Sequence, residues 1–148
     1  MSRLLRVIAA AFALAAGVAL AHADTTTDVV PASLYQRLGG EVVVTRIASD
    51  TLDTVTADPR LNAPFRKVNI VRLKGRLALF LCAATGGGCQ LEGDSMREIH
   101  AGLDITEAQL YGMVEALRAA MVHSGIGLRE RNELLALLAP FKRDIVAR

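Results

Sequence analysis

The chain has 148 residues, 52% of them hydrophobic and 22% charged, with twelve Gly, four Pro, two Cys and a formal net charge of +2. Those proportions exclude a disordered or collagen-like chain and fit one globular domain. They also lack the broad positive field that nucleic acid or an anionic membrane would select, so neither is expected as a partner.

Residues 7–21 read VIAAAFALAAGVALA behind Arg3 and Arg6, and no acid precedes Asp24. A basic start, an apolar run and small residues Ala21 and Ala23 make residues 1–23 a secretory signal. A retained anchor is the competing reading, but the run falls short of the about twenty residues that a helix needs to span a bilayer. Removal of the signal takes two arginines away and leaves fifteen basic against fifteen acidic groups in 125 residues. The mature chain is then near neutral, free of the membrane, and destined for export, to the periplasm in a bacterium. At that size a single core buries roughly two-thirds of the unfolded surface.

Residues 24–32 form a flexible polar leader, and the domain occupies 33–148. SLYQRL is a short helical turn closed by Gly39 and Gly40. From Glu41 to about Thr56, Val43, Val44, Ile47, Leu52 and Val55 recur near helical spacing. A strand is the alternative for the VVV run, although the segment is long for one and does not alternate. Two prolines in Ala57–Phe65 make a tight corner. Asn69 then caps an amphipathic helix with Ile70, Leu73, Leu77, Phe80, Leu81 and Ala84 along one stripe.

Thr85–Asp94, with four glycines in ten residues, is a loop, and Ser95 opens a short helix that ends at His100. Thr106 and Gln109 fit a capping box before a long helix through Tyr111, Val114, Leu117, Met121 and Val122. Gly125 and Gly127 stop it, and Leu128–Val146 forms one last helix with Leu134, Leu135, Leu138 and Ile145 inward. Several helices and no convincing strand predict an all-α domain.

After signal removal, His100 and His123 are the remaining histidines. No Cys/His spacing suits zinc, no Gly-rich loop matches a phosphate cradle, and no Ser/His/Asp arrangement is visible. No dedicated acid or base stands out, so ligand binding is read in preference to enzymatic turnover. A single histidine after a short segment, beside a helix with an apolar stripe, suits one axial bond to a flat, greasy cofactor. Cys82 and Cys89 flank the glycine-rich bend. In an exported chain they read as a disulfide of about 2–3 kcal/mol, the alternative being two buried thiols.

SLYQRLGG (33–40), ADPRL and PF (57–65), RLKG (72–75), GG (86–87), M-x-x-x-HAGLDIT (96–106) and LLAPFKRDIV (137–146) together resemble the group I truncated haemoglobins. The motifs stand in family order and nearly without gaps from Ser33 to the C-terminus. The resemblance implies a two-over-two helical sandwich around haem b, iron protoporphyrin. It implies oxygen, nitric oxide or carbon monoxide as ligands, with nitric oxide or electron-transfer chemistry as further uses. The protein would be a monomer or weak dimer.

By the same resemblance His100 stands where the family places its proximal iron ligand, the usual donor in globins being a neutral imidazole. Phe65 matches the aromatic that lies against the porphyrin, a role that coexists with core filling. Leu73, Leu77 and Phe80 would line one wall of the pocket, with Leu52 approaching from the preceding helix. Many relatives carry Tyr at the position of Leu52 and Gln at that of Leu77, where they hydrogen-bond to bound oxygen. Two leucines here imply an affinity lower by roughly 1.5–3 kcal/mol, with fast oxygen loss or ready oxidation of the iron.

Arg66, Lys67, Arg72, Lys74 and Arg76 put five cations in eleven residues. A solvated helix face explains them; haem adds a propionate partner, for which Arg76 is the first choice. Met96, one turn before His100, reads as packing, with axial ligation the less favoured role. His123 suits the end of its helix electrostatically. A cofactor-free helical module for protein interaction or sensing is the alternative function, because fold alone does not prove activity.

Overall fold

The computed structural model describes residues 31–147. The predicted signal and residues 24–30 of the leader lie outside the described residues. Seven α-helices and two 3-10 turns account for the ordered elements, and no strand occurs among the described residues. None of the described helices is long and apolar enough to cross a membrane.

Helix α1, Leu34–Arg37, begins where the Ser33 side chain accepts the Gln36 amide and the Gln36 side chain returns to the Ser33 amide. This reciprocal cap satisfies two donors at a helix start. Gly39, at φ 100°, turns the chain into α2, Gly40–Ala57. The left-handed conformation there requires glycine. The VVV run is therefore helical, and α2 buries Val44, Ile47, Ala48, Thr51, Leu52 and Val55. The proline corner holds a 3-10 turn at Ala63–Phe65. Asn69 then accepts the Arg72 amide at 3.0 Å to open α3, Ile70–Ala84.

Helix α4 is a single five-residue element, Met96–His100, capped by Ser95 and Glu98 in the same reciprocal manner as α1. The predicted box of Thr106 and Gln109 opens α5, Glu107–His123. The last predicted helix is instead broken in two. Helix α6 spans Leu128–Leu138, a 3-10 turn occupies Ala139–Phe141, and α7 spans Lys142–Ile145. Pro140 supplies the reason: its ring lacks an amide hydrogen and clashes with the preceding turn of a continuous helix.

Helix α2 packs along both α3 and α5, while α6 closes against α1 and α5. This is the two-over-two sandwich. Its main core joins Leu38, Ile47, Leu81, Met121 and Leu134, all 1% exposed or less, drawn from the whole set of long helices and the turn before them. Full burial of such side chains stabilises by roughly 1.5–3 kcal/mol each. The Arg37–Glu133 ion pair joins α1 to α6 at the edge of this core.

Candidate functional site

A second, smaller cluster lies at the other end of α2. Leu52 and Val55 project one turn apart and meet Ala116 of α5, all three buried. Leu61, Phe65, Leu73, Leu77 and Met113 pack onto this base, and each keeps part of its surface exposed. Gly112 makes the approach of the corner to α5 close: a Cβ there would overlap the Leu61 side chain. Glycine inside a helix costs about 1 kcal/mol relative to alanine, and here it admits Leu61.

Every side chain in this cluster is hydrocarbon or thioether. Thr51, buried beside Leu52, turns its hydroxyl back to donate to the Ile47 carbonyl at 2.7 Å. It offers nothing to the wall. Of the predicted wall residues, the fold thus brings Leu52, Phe65, Leu73 and Leu77 together, with Leu77 also touching the main core. Phe80 packs on the main core, its ring edge-on to Phe141 at 5.3 Å and 74°. Val55, Leu61, Met113 and Ala116 complete the wall; of these only Val55 stood in a predicted apolar stripe, Leu61 lies in the turn of the proline corner, and no local signal aimed any of them at this cluster.

His100 belongs to neither cluster. It ends α4, half-buried, and its Nδ1 lies 2.7 Å from the Met96 carbonyl oxygen. A carbonyl only accepts, so Nδ1 carries the hydrogen and donates it. In that tautomer the lone pair sits on Nε2, which has no hydrogen-bond partner among the described residues. Met96 thereby positions His100 through its backbone. The helix itself contains no buried residue. Tethers hold it: Arg97 pairs with Asp144 of α7 at 2.5 Å, and the Ser95 hydroxyl and amide hold the Glu98 carboxyl below the usual carboxylate range.

The loop leading into α4 is fastened to α3 twice. A disulfide joins Cys82 and Cys89, with Cα atoms 5.8 Å apart. Arg76 donates to the Glu92 carbonyl at 2.7 Å, so in this structure it serves the loop. Gly87 lies between the Cys82 Sγ and the Tyr35 ring, where a Cβ would come within 2.5 Å and 2.8 Å of them.

Two of these features fit a flat, apolar macrocycle that carries a metal ion. One is a half-covered wall without polar side chains, which folding alone leaves partly wet. The other is an imidazole whose tautomer is fixed by a backbone acceptor, the arrangement that orients a histidine ligand. No group of three or more His, Cys, Asp and Glu forms a metal cage among the described residues. One imidazole nitrogen, Nε2 of His100, is the donor on offer.

The bacterial-like globin family model matches residues 33–147. A group 1 truncated haemoglobin from Mycolicibacterium paratuberculosis is 33% identical over 116 residues, covering 78% of this chain and 85% of that protein. A second, from Chlamydomonas moewusii, is 26% identical over 130 residues, 86% of this chain and 76% of that relative. The Fe(III) form of the truncated haemoglobin from Tetrahymena pyriformis superposes with a TM-score of 0.75 at 22% identity, over 79% of this chain and 100% of that one. The 2/2 haemoglobin from a Synechococcus species, in the cyanomet state with covalently attached haem, gives 0.74 at 25% identity, with 79% and 100% covered.

Proposed function

The chain belongs to the bacterial-like globins and, among them, to the group 1 truncated haemoglobins, and from that membership we propose that it holds iron protoporphyrin through His100 and binds diatomic gases at the iron. The observation that carries this reading is the hydrogen bond from His100 Nδ1 to the Met96 carbonyl. It leaves Nε2 with a lone pair suited to an axial bond and makes the ring a better donor. Haem, when bound, supplies an iron centre that takes up oxygen, nitric oxide or carbon monoxide.

The chain's own residues would then divide the work. His100 would hold the iron, and Phe65, Leu73 and Leu77 would cover the ring and exclude water, with Leu52 packed behind them. Arg76 is near enough in sequence to Leu77 to reach a propionate if it leaves the Glu92 carbonyl. With leucine at 52 and 77, the wall gives bound oxygen no hydrogen-bond donor. This favours ligands that carry little charge, such as carbon monoxide and nitric oxide, and leaves oxygen weakly held. We also infer export to an oxidising compartment, supported by the signal-like segment at 1–23 and by the Cys82–Cys89 bond.

Titration of the purified mature chain with haemin tests the proposal. A one-to-one Soret band that is lost in His100→Ala supports it. A chain that stays colourless in excess haemin refutes it and leaves the cofactor-free helical module as the reading.

A further inference from the structure

The five cations between Arg66 and Arg76 do not share one role. Lys74 crosses to Asp53 of α2 at 2.6 Å, and Arg76 holds the Glu92 carbonyl. Arg66, Lys67 and Arg72 are exposed and meet no carboxylate among the described residues. Between them stand Val71, 82% exposed, and Val68, 40% exposed. A merely solvated face accounts for the charges but not for the valines. Polar side chains would serve the same turn and the outer face of the first helical turn at least as well.

Basic side chains around a small apolar centre are the anatomy of a transient protein contact. The charges steer encounter, and the apolar patch gives up its water on docking. The position adds a second constraint. The segment 66–72 is bracketed by Phe65 and Leu73, both on the inner wall. Within α3, Leu73 turns to the wall while Val71, two residues earlier and so on a different face of the helix, points outward.

We propose that residues 66–72 are the docking site for an acidic one-electron carrier protein, which reduces the iron through this wall. The inference rests on the haem reading. In the step, the carrier gives up one electron and ferric iron becomes ferrous; no atom or proton changes place. An anionic lipid surface would match the charge as well. Two valines without an aromatic or long aliphatic side chain, however, give little to insert into a bilayer.

The test uses the ferric haem-loaded protein, mixed in a stopped-flow instrument with a reduced acidic flavodoxin at low and high salt. Steered association falls steeply with ionic strength, so the wild-type rate should drop about tenfold or more between dilute buffer and ~0.3 M salt. The triple variant Arg66→Glu, Lys67→Glu, Arg72→Glu should lose about tenfold or more at low salt, the lower end of what steering contributes. Val71→Ser should also slow it with every cation kept. Neutral photoreduced lumiflavin should reduce wild type and variants equally.

Rates that ignore both salt and charge reversal, in variants that keep their Soret band, overturn the docking site alone. So does charge-dependent binding to phosphatidylglycerol vesicles without charge-dependent reduction by flavodoxin. A wild type that takes up no haemin overturns the haem reading first and this inference with it.

Discussion

The leucine wall and the His100 helix face the same task with different means. The wall is fixed by apolar contact: Leu52, Val55 and Ala116 are buried between two helices of 18 and 17 residues. Helix α4 has five residues and buries none of them, far below the length at which a helix holds itself in water. Its place depends on a capping box, an ion pair with Asp144, and a loop tied to α3 by a disulfide and Arg76. Packing energy therefore resides in the wall, whereas the proposed iron ligand hangs on separable polar and covalent tethers. Substitutions in the wall should change global stability and ligand choice. Changes to the tethers should act chiefly on how firmly haem is held.

Substitutions can break that comparison in order of size. Leu52→Ala should destabilise the folded chain by about 2–5 kcal/mol, the range for a large-to-small change in a packed core, as read by denaturant unfolding. A loss below ~1 kcal/mol would mean that the wall is not the packed side. Replacing Cys82 and Cys89 together by alanine should cost about 2–3 kcal/mol through the freed loop. It should also speed haem transfer to an apo-globin acceptor; transfer at the wild-type rate would detach the loop from the ligand's position. Leu77→Gln, which adds a donor to the wall, should slow oxygen dissociation by about tenfold, equivalent to one modest charge-assisted hydrogen bond. Its haem transfer should stay near wild type, so that wall and tether separate in one pair of measurements.

The smallest effect concerns acid. Ser95 holds the Glu98 carboxyl below its ordinary value, so the folded state favours the carboxylate. That contribution is complete above the unfolded glutamate's range and is lost as the pH falls through the lowered folded value. Haem loss from wild type should therefore accelerate in that acid window. Glu98→Gln keeps an acceptor for the Ser95 amide but cannot titrate, and should flatten this part of the profile. An identical acid limb in the variant would assign the loss to another group.

Much of the fold was legible because helix starts carry local chemistry. Asn69, and Thr106 with Gln109, marked their helices, and the apolar rhythm set the buried faces. The break at Pro140 was masked because Leu138 and Ile145 remain in phase across it, although the missing amide of proline was there to read. The Ser33–Gln36 and Ser95–Glu98 boxes were equally readable from their spacing. The site was less legible. Leu73, Leu77 and Phe80 share a stripe, but a helix as long as α3 spans two clusters, and Phe80 falls in the other one. The partners at 55, 61, 113 and 116 depend on how α5 meets the proline corner. The His100 hydrogen bond depends on where α4 ends, since it uses a carbonyl within the same short helix. Arg76 was assigned by its position beside Leu77, but its reach to Glu92 depends on how the loop folds back.

Whether His100 Nε2 bonds the iron is tested most directly by resonance Raman spectroscopy of the ferrous protein. An iron–imidazole stretching band should move on 15N labelling of histidine, disappear in His100→Gly, and return when free imidazole is added to that variant. A band that survives in His100→Gly without imidazole, or a wild type without one, would contradict the assignment.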